Sequence, residues 1–291
     1  MEVSLGSTGI TTSALALGCD RLGSMLTELN RDQTLALLQD AFQSGIRHFD
    51  TASIYGQGDS ERYLGEAFKG RRNEVCLATK AGQRLTPVQA IAARLKNPIR
   101  LLMRLRRSIR QAVSRQRAAG VNYCFDPTYI ESSLTGSLRR LQTDRVDIFY
   151  LHSPPLETLG NGRLMSLLQH LRQEKTIRAI GVSCDDLEIA MAAVSHPLVE
   201  IVQFDLVDNS RCQEVLETAA KNGKVSLVRG IARRAAQHAG DYEQNLVSGF
   251  RSALALPSVG GVIIGTTNSL HLRTNTAGFV RASCHLKECT D

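Results

Sequence analysis

Tryptophan is absent from this 291-residue chain, and aromatic residues make up only 5% of it. No apolar stretch approaches the roughly 18 residues that a bilayer-crossing helix needs. The opening Met1-Glu2-Val3-Ser4 lacks the basic and apolar regions of a secretory signal, so the expectation is a cytoplasmic protein without a membrane span. Seven cysteines, at positions 19, 76, 124, 184, 212, 284 and 289, form no Cys-x-x-Cys pair. That count argues against a disulfide framework or a zinc site, and the expectation is reduced thiols and no metal. Gly-x-Gly-x-x-Gly does not follow the first strand-like run, which counts against a Rossmann sheet. Acids are missing from one long stretch: Ala81 to Phe125 holds ten Lys or Arg and no Asp or Glu. The formal charge of +7 is therefore local, since the rest of the chain sums to −3.

What is present is an alternation. Short β-rich runs near Ala14–Leu17, Arg47–Asp50, Val75–Thr79, Val146–Leu151, Ala179–Ser183, Ile201–Phe204, Val225–Val228 and Gly261–Ile264 precede helical patterns. The helices are expected near Asp32–Ser44, Ser60–Lys69, Pro127–Leu141, Leu164–Glu174, Asp186–Ser195, Cys212–Asn222, Tyr242–Leu256 and Ser269–Phe279. Eight βα units in a 43% hydrophobic chain predict an α/β fold, a closed (β/α)8 TIM barrel over residues 1–280, with a C-terminal tail at 281–291. Val3 to Thr11 reads as an N-terminal β-hairpin closing the barrel bottom. The 81–125 segment reads as a basic helical insert after the third strand, with Asn97-Pro98 opening a helix that runs to Gly120. Leu102, Leu105, Ile109 and Val113 share one face of it, and Arg100, Arg104 and Arg107 another. Leaving a strand at its C-terminal end, the insert is expected over or beside the barrel mouth, as a lid.

In such a barrel the chemistry belongs at the C-terminal ends of strands. Asp50, Lys80 and His152 fall at the ends of strands two, three and four, and Tyr55 sits in the loop Asp50-Thr51-Ala52-Ser53-Ile54-Tyr55-Gly56. A phenol of pKa about 10 is a poor acid near neutrality unless its surroundings shift it. A nearby ammonium is expected to lower it, with Asp50 holding Lys80 charged and His152 donating to a carbonyl oxygen. No side chain supplies hydride, so a nicotinamide cofactor is required.

These motifs, with Leu134 to Leu141, Asp147-Ile148-Phe149-Tyr150-Leu151-His152-Ser153-Pro154, Gly181-Val182-Ser183, Gln203 and Gly265-Thr266-Thr267-Asn268, make the chain resemble the aldo-keto reductase superfamily. The resemblance implies an NADPH-dependent reduction of aldehydes or ketones by a tetrad of Asp50, Tyr55, Lys80 and His152. NADP(H) is the preferred cofactor, with NAD(H) as the alternative, and a small carbonyl compound is the substrate. It further implies that Asp50, Ser183 and Gln203 border the nicotinamide and that residues 265–275 hold the adenosine end, with Thr266 at a helix start. Cys184 stands where the family places an asparagine, and Arg229 where it places a stacking aromatic. Gly265, Thr267 and His271 occupy 2′-phosphate positions, with Arg273 and Asn275 close by. The long C-terminal loop of some members is missing, and the insert is expected to replace it.

Other features have quieter readings. His48 is read as a core or barrel-bottom histidine, and Cys284, His285 and Cys289 as tail residues rather than a ligand cluster. The arginine face within 94–117 reads first as a solvated face, then as a positive rim for anionic substrates or cofactor phosphates. Contact with nucleic acid, acidic lipid or an acidic partner is the third reading. The competing functional class is a non-enzymatic NADP(H)-binding sensor or interaction subunit.

Overall fold

The computed structural model describes residues 1–24, 27, 29–84 and 122–288, the last four as backbone only. The expected 97–120 helix, its arginine face and the lid lie outside the described residues.

The chain opens with β1 (Glu2–Ser4) paired antiparallel to β2 (Thr11–Ser13). The barrel strands are β3 (Leu15–Gly18), β4 (His48–Asp50), β5 (Cys76–Ala81), then, after a ribbon of β6 (Gln83–Arg84) and β7 (Asn122–Tyr123), β8 (Val146–His152), β9 (Ile177–Ser183), β10 (Ile201–Asp205), β11 (Val225–Arg229) and β12 (Val259–Gly265). These eight close into a barrel in chain order, each parallel to its neighbours, with β12 returning to β3. All eight expected strands are present.

The helices follow the expected apolar periodicity. They are α1 (Arg31–Gln43), α2 (Asp59–Ala67), α3 (Pro127–Leu141), α4 (Gly162–Gln173), α5 (Leu187–Ser195), α6 (Ser210–Lys221), a short α7 (Ile231–Ala235), α8 (Tyr242–Leu254) and α9 (Ser269–Glu288). Asp126 caps α3 by accepting from the amides of Thr128 and Tyr129, with Pro127 in the first turn, where its missing N–H costs nothing. Asn222 ends α6 and Gly223 turns the chain at φ 65°.

The segment after 280, expected as a tail, is helical through Glu288. Ala282 and Ser283 are buried and Arg281 pairs with Glu243 of α8, so the register of α9 keeps an inward face beyond Phe279. No helix among the described residues is long and apolar enough to cross a membrane.

Two buried layers follow from strand alternation. Outward strand faces pack against the helices. Inward residues, among them Ile148, Tyr150, Ile201, Leu227 and Ile263, fill the barrel, with Leu5 and Ile10 of the N-terminal hairpin closing the bottom. Gly181 exists for this packing: a Cβ there would lie 2.4 Å from the Tyr150 ring. His48 is buried inside β4 as expected, and burial lowers its pKa to about 4.

Candidate active site

Parallel register brings the chemistry to one rim. Gly18 pairs with Asp50, Asp50 with Ala78, His152 with Ser183, Ser183 with Gln203, and Asp205 with Arg229. The loop after β4 is held by backbone bonds that continue the sheet: Cys19 N–H to Asp50 O (2.8 Å), Thr51 N–H to Ala78 O (2.8 Å) and Ser53 N–H to Lys80 O (3.1 Å). Tyr55 then enters a tight turn, Tyr55–Gly58. Gly56 turns at φ 56°, and a Cβ there would press to 2.6 Å from Leu22 O, so residue 56 must lack one.

Lys80 is fully buried and donates to Asp50 Oδ2 at 2.5 Å and to Thr51 O at 3.0 Å. The second Asp50 oxygen accepts from Gln203 Nε2 at 3.0 Å, and Gln203 Oε1 accepts from Ser183 Oγ at 2.6 Å. An unbroken chain of charge-assisted and neutral hydrogen bonds therefore crosses the barrel mouth from strand β5 to β9. The Tyr55 ring stands edge-on to His152 with centroids 5.8 Å apart, and the Lys80 ammonium lies 5.1 Å from the Tyr55 ring centre.

The electrostatics differ from the expectation in one respect. Burial pushes the Tyr55 phenol well above its ordinary value, and the charges of Asp50 and Asp20 push the same way; Arg229 is the cation that opposes them. The phenol therefore stands above its ordinary value, where lowering by Lys80 was anticipated. Burial also lowers the Lys80 amine, against the pull of Asp50. Burial, Lys80 and Arg229 all hold His152 well below its usual pKa, so the imidazole is neutral at pH 7. Its Nδ1 is buried and has no hydrogen-bond partner among the described residues.

Asp50 and Tyr55 line a cavity of about 260 Å3 with bare backbone at Gly18, Gly230 and Gly265 and the guanidinium-bearing residues Arg21, Arg229 and Arg233. Arg229, expected to stack on a cofactor, bridges two loops: it pairs with Asp185 at 2.6 Å and reaches Asp205 at 3.6 Å. Thr266 is buried and its hydroxyl is engaged with Asn268, whose side chain caps α9 by accepting from the amides of Leu270 and His271. Gly265, His271 and Arg273 are exposed and Thr267 is half-buried. Asn275 is buried and accepts from the Tyr242 hydroxyl at 2.8 Å.

The chain from residue 14 to 232 matches the family model described as the aldo/keto reductase family. The chain belongs to this family. D-threo-aldose 1-dehydrogenase of a Pseudomonas species is 29% identical over 231 residues, which are 76% of this chain and 66% of that protein's length. Among solved structures, PA4992 from Pseudomonas aeruginosa, assigned there to the aldo-keto reductases, is 25% identical with a TM-score of 0.76, covering 97% of this chain and 96% of that one. An aldo/keto reductase from Klebsiella pneumoniae, solved in complex with NADP and acetate, shares the fold at 20% identity and a TM-score of 0.68, covering 96% and 89%. The chain spans slightly less than two thirds of the length of that dehydrogenase.

Two parts of this aldo-keto reductase site were not found in the sequence. Buried Glu61 of α2 accepts from Thr79 Oγ1 and from Arg140 Nε, both at 2.6 Å, and so braces the strand that carries Lys80. The Asp185–Arg229–Asp205 bridge is the other. The acids of both are separated from their basic partners by dozens of residues, and no local spacing signals either contact.

Proposed function

We propose that this aldo-keto reductase reduces a small aldehyde or ketone to the alcohol with NADPH, Tyr55 giving the proton to the carbonyl oxygen. The observation that carries the reading is the Tyr55 ring edge-on to the buried His152 imidazole, with the Lys80 ammonium, held by Asp50, 5.1 Å from the phenol ring centre. The phenol carries its proton at pH 7, as a donor in the reductive direction must, and the neighbouring Lys80 ammonium would stabilise the phenolate left when that proton is given. His152, uncharged, orients the carbonyl oxygen by donating to it, which polarises the carbon. Lys80 and Asp50 supply a fixed dipole beneath the phenol, and Lys80 assists as negative charge develops on its oxygen.

The residues present suit a dinucleotide. Ser183 and Gln203 offer amide-matching polar atoms at the rim, the three glycines leave backbone open, and Arg21 and Arg233, in the same cavity lining, would offer positive charge to the phosphates. When bound, the nicotinamide supplies the hydride that no side chain can. NADPH rather than NADH is supported by the exposed Arg273 near 265–271 and by the NADP held in a relative of this fold.

The test is Tyr55→Phe assayed by NADPH oxidation with a panel of small aldehydes, alongside quenching of cofactor fluorescence. The expected outcome is a loss of kcat of about 10²-fold or more with NADPH binding nearly intact. Undiminished turnover would remove Tyr55 from the proton-donor role. Tight NADPH binding by the native protein with no turnover across the panel would instead favour the sensor reading.

A further inference from the structure

A cavity larger than the catalytic mouth lies elsewhere in the barrel. It measures about 610 Å3, within the range typical of small-molecule sites, and lies between α6 and the α7–α8 segment. Leu216, Ile231 and Leu256 give it an apolar lining. Gly249 of α8 widens it, since a Cβ there would come within 2.9 Å of Ile231 Cγ2.

Its polar groups have a sign. Arg234 lines the cavity half-buried and donates one N–H to Leu206 O. It has no ion-pair partner among the described residues, and Asp205, an acid that acts on it, is held by Arg229 and Arg233. Burial lowers the Arg234 guanidinium from its ordinary pKa, the mark of a cation short of compensation. Asn209 and Ser210 bring the positive end of the 12-residue α6 to the same rim, while His238 flanks Arg234 and Asp208 is the acid in the lining.

The cavity is also separate from the mouth. Helix α7 is a partition: Ala232 and Arg233 face the catalytic cavity, and Ile231, Arg234 and Ala235 face this one.

We propose that this cavity is a second ligand site, taking a small amphipathic organic anion whose acidic head pairs with Arg234 and whose apolar body lies along Leu216, Ile231 and Leu256. An unpaired, partly desolvated guanidinium over an apolar floor is matched by that ligand chemistry and by few others.

The test uses 1-anilinonaphthalene-8-sulfonate fluorescence on the full chain, with and without saturating NADPH, followed by displacement with decanoate or decanol. Saturable binding that survives NADPH is expected, with decanoate displacing the probe at least tenfold better than decanol. Arg234→Gln is expected to weaken probe binding at least fivefold. Gly249→Leu should fill the space and abolish binding; circular dichroism checks its fold, and Arg234→Gln stands alone if that variant misfolds. Displacement of the probe by NADPH would place it in the catalytic mouth and overturn the proposal. So would equal displacement by the two competitors, indifference to Arg234→Gln, or no saturable binding below millimolar probe.

Discussion

Gln203 Nε2 donates to Asp50 Oδ1 at 3.0 Å, across 153 residues of sequence and from the opposite side of the barrel. The same carboxylate takes the Lys80 ammonium on its other oxygen. Gln203 therefore orients the acid that orients the lysine, in addition to the cofactor-facing role proposed for it. Gln203→Leu leaves one Asp50 oxygen and the Ser183 hydroxyl without partners in a buried site. The expected cost is about 1–3 kcal/mol in urea unfolding, with a weaker NADPH affinity. A variant as stable as the native protein would show that these groups find other partners.

Lys80→Met should do more damage than its lost charge suggests, because Asp50 remains buried and uncompensated. Breaking a buried pair from one side costs about 3–5 kcal/mol. Activity is expected to fall severely as well. The double variant Asp50→Asn, Lys80→Met should be less destabilised than the sum of the two singles, a coupling that a double-mutant cycle measures. Additive single costs would contradict the pairing.

Stability should decline on mild acidification through His48. Its folded pKa of about 4 lies below the unfolded value of 6.5, so the unfolded chain binds more protons between those limits. Stability from this group is thus full above the unfolded value and lost as pH falls toward 4, about 2 kcal/mol of it between pH 7 and 5. His152, also lowered, acts with the same sign. Unfolding curves of His48→Gln across pH 7 to 5 should be flatter than those of the native chain; equal slopes would mean that His48 is not the group responsible.

Gly181→Ala is the smallest change expected to disturb the barrel. The added methyl would meet the Tyr150 ring at 2.4 Å, and Tyr150 is completely buried. Overpacking of this kind costs about 1–3 kcal/mol. The loss should appear as a lower thermal midpoint, and Tyr150→Leu in the same background should recover part of it.

Short β-rich apolar runs alternating with longer helical patterns were enough to number the strands, because a strand buried on both faces and a helix buried on one each leave their mark on the chain itself. The carriers of the site were legible for the same reason: Asp50, Lys80 and His152 stand at strand ends, and a parallel barrel puts strand ends on one rim. Helix α7 escaped because five residues are too few to show a period. The extra turns of α9 escaped because their inward face depends on α8, which the local pattern does not contain.

Side-chain partnership was another matter. What braces the strand of Lys80, which side chain takes the second oxygen of Asp50, and why Arg229 is spent between Asp185 and Asp205 depend on distances between segments far apart in the chain. So does the protonation of Tyr55, which burial and the surrounding acids raise together. Local spacing fixes where along an element a residue falls; only closure of the barrel fixes what it meets, since charge and desolvation act through space and not along the backbone.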